Sequence, residues 1–275
     1  MNRTSAQPLA LTACIQGIGL IGPGLADWAS GARVLAGETA YSPQATAVPA
    51  PGGLPAAERR RTGTTVKLAL AVAQQAVAAA AVDPVDLPAV FSSSGGDGLI
   101  CHEICETLAS PDRQLSPTRF HNSVHNAAAG YWSLATGATA ASTALCAYDG
   151  SFAAGLLEAL AIVQADRVAV LLCAYETTYP EPLRATRPLP DSFGVALVLT
   201  PAPTPSTRAR LTVRSCATDT AADRLADPGL EALRAAIPAA RSLPLLRLLA
   251  RREPGEVVCD YIGDQRLTVE VSACH

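Results

Sequence analysis

Apolar residues in this chain come in short runs whose period changes repeatedly, with Pro and Gly clusters marking the joints. The pattern predicts a strand over 10–18, a helix near 25–36, a Pro/Gly-rich loop at 42–57 and an Ala-rich helix over 61–82 closed by Asp83-Pro84. A strand at 89–94 leads into a glycine turn (Gly95, Gly96, Gly98) and a helix at 99–109. After a loop to 118 come a helix near 126–136, a strand at 139–146, a helix at 150–165 and a strand at 167–174.

That alternation implies an α/β fold with a mixed, largely parallel sheet between helix layers. The almost wholly apolar AVLLCAY run (168–175 region) suits a central parallel strand covered on both faces. A loop rich in Pro and charge (179–192) precedes one more strand, FGVALVLTP, and PAPTPSTRA (201–209) resembles a linker. Beyond it the pattern predicts a strand RLTVRSC, helices through PGLEALRAAIPAARSLPLLRLLARR, and a hairpin EVVCDYIGDQRLTVEV turning at Gly263-Asp264. Two units are expected, 9–201 and a small α+β appendage or reduced second half at 202–275.

Composition narrows the class. With 275 residues, 49% of them hydrophobic, the chain can bury a sizeable core. A net charge of −3 and only 16% charged residues leave no basic stripe for nucleic acid beyond Arg59, Arg60 and Arg61, read as a solvated helix start or a partner contact. The N-terminal apolar run is too short for a secretory signal and 66–82 carries Lys67, Gln74 and Gln75, so a cytoplasmic protein without a membrane span is expected. Cys14, Cys101, Cys105, Cys146, Cys173, Cys216, Cys259 and Cys274 are scattered without a CxxC pair and read mainly as small core residues in a reducing compartment. CHEIC (101–105) has no second ligand pair, so no metal and no cofactor is expected.

Three stretches carry candidate chemistry. Cys146 falls on a turn between an apolar strand and an apolar helix, where the thiol would point out of the sheet toward free helix N–H groups; the alternative is a buried or pocket-lining thiol. GIGLIG (17–22) fits the GxGxxG dinucleotide pattern, but Pro23 and Gly24 place a turn where the helix should begin, which favours a strand-ending turn with closely packed glycines. SSSGGDG (92–98) follows a strand without the Lys-Ser/Thr pair of a phosphate loop. His102, His121, His125 and His275 stand in no context that would present a base beside Cys146.

The order of GIGLIGPG, ERRRTGTTVKLALAVAQQAV, VFSSSGGDG, NAAAGYWSLATGATAASTALCAYDGS, CAYETTYPEPL and RPLPDSFGVALVL resembles the N-terminal half of the β-ketoacyl synthases of the thiolase superfamily, over residues 9–201. NAAAG (126–130) resembles the asparagine-to-glycine turn ahead of the family's nucleophile strand, and Glu176 its acidic residue after the next strand. The resemblance implies a thiolase-like half fold. It also implies a nucleophilic cysteine and two histidines in HGT-like and GHN-like motifs, neither of which occurs in residues 204–275. Anchored on Gly150, the family's nucleophile falls on Ala147, one residue after Cys146, and a one-residue shift on a strand reverses the face.

A half-synthase would expose a large apolar helical face, to be covered by the 204–275 tail or by a complete synthase subunit. The resemblance therefore implies a non-catalytic partner subunit, similar to the chain-length factors of type II polyketide and fatty-acid-like systems, in the short form of aryl polyene pathways. It would form a heterodimer with a full-length β-ketoacyl synthase and meet acyl-carrier protein through that complex. Phe120, His121, Val124 and Tyr148 are the residues expected at the partner and the acyl tunnel. The alternatives are a Cys146-dependent acyltransferase acting on acyl-carrier protein and a nucleotide-binding oxidoreductase using GIGLIG.

Overall fold

The computed structural model describes residues 10–216 and 220–273. In chain order the elements are β1 (Leu11–Ile21), α1 (Trp28–Ala36), α2 (Ala56–Arg61), α3 (Thr64–Ala80), β2 (Ala89–Ser92), α4 (Gly98–Ala109), α5 (Pro117–Asn122) and α6 (Ala127–Thr136). They continue with β3 (Ser142–Leu145), α7 (Ser151–Asp166), β4 (Val170–Glu176), α8 (Leu183–Thr186), β5 (Phe193–Thr200) and β6 (Ala209–Cys216). The last are α9 (Pro228–Ala236), α10 (Leu243–Arg251), β7 (Gly255–Asp260) and β8 (Arg266–Ser272). Leu9, Cys274 and His275 lie outside the described residues.

One eight-stranded mixed sheet runs β3-β2-β4-β5-β1-β6-β8-β7 between two helix layers. Its share of parallel pairing is smaller than the sequence suggests. Only β2–β3 and β2–β4 are parallel; β4–β5, β1–β5, β1–β6, β6–β8 and β7–β8 are antiparallel. The reason is that β1, from the start of the chain, enters antiparallel between β5 and β6, and the C-terminal β7–β8 hairpin adds to β6 at the edge.

Strand alternation sorts the core. In β4, Val170, Leu172 and Ala174 face one layer while Leu171, Cys173 and Tyr175 face the other. The first layer holds α1, α7, α9 and α10, with Leu156, Leu160, Leu233, Leu245 and Leu246 buried against the sheet. The second holds α3 and α6, with Leu68, Val72, Trp132 and Tyr131. Residues after 201 thus extend the same sheet through β6, β8 and β7 and lay α9 and α10 over its face.

GIGLI lies inside β1, where it pairs with β5, and its glycines face α3. A Cβ on Gly17 would meet the Ala76 carbonyl at 2.1 Å, and one on Gly19 the Val72 carbonyl at the same distance. The motif therefore lets a helix pack against a strand and forms neither the phosphate turn of a nucleotide site nor, except at Gly22, a strand-ending turn. The Ala-rich segment expected as one helix is split at Thr62-Gly63, and the Arg triplet sits in the last turn of α2 rather than at a helix start. There the cations favour the helix C-terminus. No helix among the described residues is long and apolar enough to cross a membrane.

Candidate functional site

The parallel trio β3-β2-β4 delivers three C-terminal strand ends side by side. Cys146 follows β3, the SSSGGDG turn follows β2, and Glu176 closes β4. The middle turn is the hub. Ser93 N donates to Leu145 O at 3.2 Å, and Ser93 Oγ accepts from Gly96 N at 3.1 Å. Gly96 has φ +64°, a left-handed conformation that favours glycine. Asp97 then caps α4 by accepting from Ile100 N at 3.0 Å.

Ser94 connects the outer two strand ends. Its N–H and hydroxyl donate to Glu176 at 2.6 and 2.8 Å, while its carbonyl accepts the Cys146 thiol proton at 3.4 Å. Glu176 is 2% exposed. Burial pushes its carboxyl up to about 7; the Ser94 hydrogen bonds and Arg187 pull the other way, and Asp149 adds to the rise. Tyr179 packs over the turn, where a Cβ on Gly95 or Gly98 would strike its ring or hydroxyl. Nothing in the sequence pattern marks Ser94; only the adjacency of β2 to both neighbours brings it between the thiol and the carboxyl.

Cys146 is exposed and Ala147, at the family's nucleophile position, is half-buried with its N–H given to Ser151 Oγ at 3.1 Å. Tyr148 has φ +51° and is 61% exposed, its ring held under the Arg187 guanidinium at 3.8 Å. Asp149 binds both Arg187 (2.6 Å) and Arg241 (3.0 Å), and Arg241 in turn reaches Asp260 at the end of β7 (3.0 Å). Gly150 lies under the Tyr261 backbone, leaving no room for a Cβ. The C-terminal segment thus clasps the turn that carries Cys146.

Of the histidines, His125 packs on the SSSGGDG turn itself, while His121 and His102 lie away from it. His125 Nε2 donates to Ser93 O at 3.2 Å, His121 stacks edge-on against Tyr131, and His102 pairs with Glu106 at 3.3 Å. None of these three contacts Cys146, whose described polar partner is a carbonyl. A carbonyl accepts a hydrogen bond and cannot serve as a general base. Phe120, His121 and Val124 are exposed on α5 and the turn after it; Cys146 and Tyr148 share the other turn. Among the described residues no group of three His, Cys, Asp or Glu side chains is placed to hold a metal ion.

Residues 28–251 match the family described as β-ketoacyl synthase, N-terminal domain. The chain belongs to this family. Solved structures share the fold. At TM-score 0.71 and 22% identity, over 95% of this chain and 99% of the other, it is similar to a chain in "Ketosynthase (ApeO) in Complex with its Chain Length Factor (ApeC) from Xenorhabdus doucetiae". It is similar at TM-score 0.70 and 14% identity, over 96% of this chain and 100% of the other, to a chain of the ishigamide ketosynthase/chain length factor. A chain of AntDE:AntF, a type II PKS acyl-carrier protein in complex with its ketosynthase, gives TM-score 0.71 at 11% identity, over 97% of this chain and 100% of the other. At these identities the likeness is one of fold. No curated protein matches the chain.

Proposed function

We propose that this chain is a non-catalytic, chain-length-factor-like subunit that pairs with an active β-ketoacyl synthase in a type II polyketide pathway, of the aryl polyene kind. One observation carries the reading: in a synthase-family fold, the thiol nearest the nucleophile position donates its hydrogen bond to the Ser94 carbonyl, and no described imidazole is hydrogen-bonded to it. The thiol thus has no hydrogen-bonded base among the described residues. On this reading residues 9–201 are the synthase-like domain and 202–275 its cover, and acyl-carrier protein is met through the complex.

The docking face supports the partnership. Phe120, Val124, Leu134 and Tyr148 are 48–61% exposed, and all fall in the stretch that ends in β3 and the Cys146 turn. In the sheet order β3 is an edge strand, paired to β2 on one side. Exposed apolar side chains beside a strand edge suit a partner subunit better than solvent. Co-expression with a candidate β-ketoacyl synthase tests the reading. A stable one-to-one complex, lost in Phe120→Asp or Val124→Asp, is the expected result. A chain that never co-purifies with that synthase, yet elongates acyl-carrier substrates alone, would refute it.

A further inference from the structure

A second site, away from the strand ends, lies between α1, α10 and the segment leading into α9. There a cavity of about 260 Å³ is walled by Val34, Leu35, Tyr41, Leu225 and Leu230, with Arg247 entering it from α10. Leu35, Leu225 and Leu230 are buried. Arg247 Nε is buried with no hydrogen-bond partner, and the residue forms no ion pair with any described residue. Every other buried arginine Nε in this state, Arg241 and Arg266, belongs to a side chain already paired with Asp260. Arg247 stands apart.

A guanidinium keeps its charge at any ordinary pH, and the half-buried Arg247 has no described counter-charge while its buried Nε–H has no acceptor. Among the described residues the one carboxylate lining the cavity is engaged: Asp227 caps α9, accepting from Gly229 N and Leu230 N at 2.9 Å each. Arg251 sits at the cavity as well, 39% exposed and 3.9 Å from Glu253. The local balance therefore favours an anion. The walls add a second requirement: Val34, Leu35, Leu225 and Leu230 form one part of the lining, against which an alkyl group can follow the charged one. Size sets the third: the cavity falls just below the range of about 300–1,000 Å³ that holds drug-sized ligands.

We infer that this cavity is a binding site for a short-chain monocarboxylate, its carboxylate on the Arg247 guanidinium and its alkyl chain against Leu35, Leu225 and Leu230. Fork geometry makes arginine the matching partner for a carboxylate. For a ligand this small an affinity on the order of 1 mM is expected.

Titration of the full chain with sodium hexanoate, followed by NMR of 15N-arginine-labelled protein, tests the inference. One arginine Nε–H signal, absent from Arg247→Lys, is expected to shift and saturate. Hexanol and inorganic phosphate, each carrying half of the required chemistry, should bind at least about tenfold more weakly. Arg247→Gln should weaken hexanoate by about tenfold or more, and Leu230→Phe, which fills the cavity and leaves the guanidinium, should do the same. Should Arg247→Gln fail to fold, the Leu230→Phe result and the Arg247 signal decide. No saturable shift at about 10 mM hexanoate, or equal binding by phosphate or by Leu230→Phe, overturns the site.

Discussion

Ser94 donates two hydrogen bonds to Glu176, at 2.6 Å from its backbone and 2.8 Å from its hydroxyl, and the carbonyl of the same residue holds the Cys146 thiol. A buried carboxyl at the end of β4 therefore sets the turn that sets the thiol. Because burial raises its value to about 7, the folded chain holds this proton more tightly than the unfolded one. The associated stability is complete below the ordinary glutamate range and is lost as pH rises through about 7. Urea unfolding should show a fall on the order of 3 kcal/mol between about pH 4 and pH 8, discounted by whatever other groups titrate there. Glu176→Gln should flatten that fall. Equal pH profiles for the two proteins would show that Glu176 does not carry the dependence.

Incubation with acyl-carrier-protein donors should leave Cys146 unmodified in intact-mass measurements, because its hydrogen-bond partner is a carbonyl and not a general base. Acylation that disappears in Cys146→Ala would instead establish the acyltransferase alternative.

The glycines of β1 give a sharper contrast. Gly17→Ala must push a methyl into the Ala76 carbonyl, which belongs to helix backbone and cannot turn aside. A loss of about 3 kcal/mol in denaturant unfolding is expected. Gly130→Ala, in the interior of α6 with nothing near its would-be Cβ, should gain about 0.5–1 kcal/mol. The same residue type thus carries opposite signs in the two places.

These cases show what the sequence could carry. Most elements of residues 10–200 and the turn at Cys146 were legible because their signals are local: apolar blocks, Pro and Gly joints, and one thiol between a strand and a helix; the short α2, α5 and α8 were not. The sheet's antiparallel majority was not, since β1 pairs with β5 and β6 across most of the chain and no local pattern encodes that choice. Pairing also explains why SSSGGDG looked bland. Its role depends on β2 lying between β3 and β4, a fact of topology that its own seven residues do not contain. The tail was read correctly as helices and a hairpin, yet its place on the sheet follows from long-range burial of Leu245, Leu246 and Val269.

Arg241 tests whether that tail holds the Cys146 turn. It lies in the short helical turn before α10, reaches Asp149 with one nitrogen and Asp260 with another, and is 18% exposed. Each acid keeps a second partner, Asp149 in Arg187 and Asp260 in Arg266, so the cost of removal falls between that of a surface pair and a fully buried one. Arg241→Met should lower unfolding stability by about 2 kcal/mol, with a smaller difference at high salt. Hydrogen exchange should quicken at Ala147–Gly150, whose amides face Ser151 and the preceding turn, while the amides of β1 stay protected. Uniform exchange across both regions would mean that the ion pairs stabilise the whole fold and do not clasp the turn.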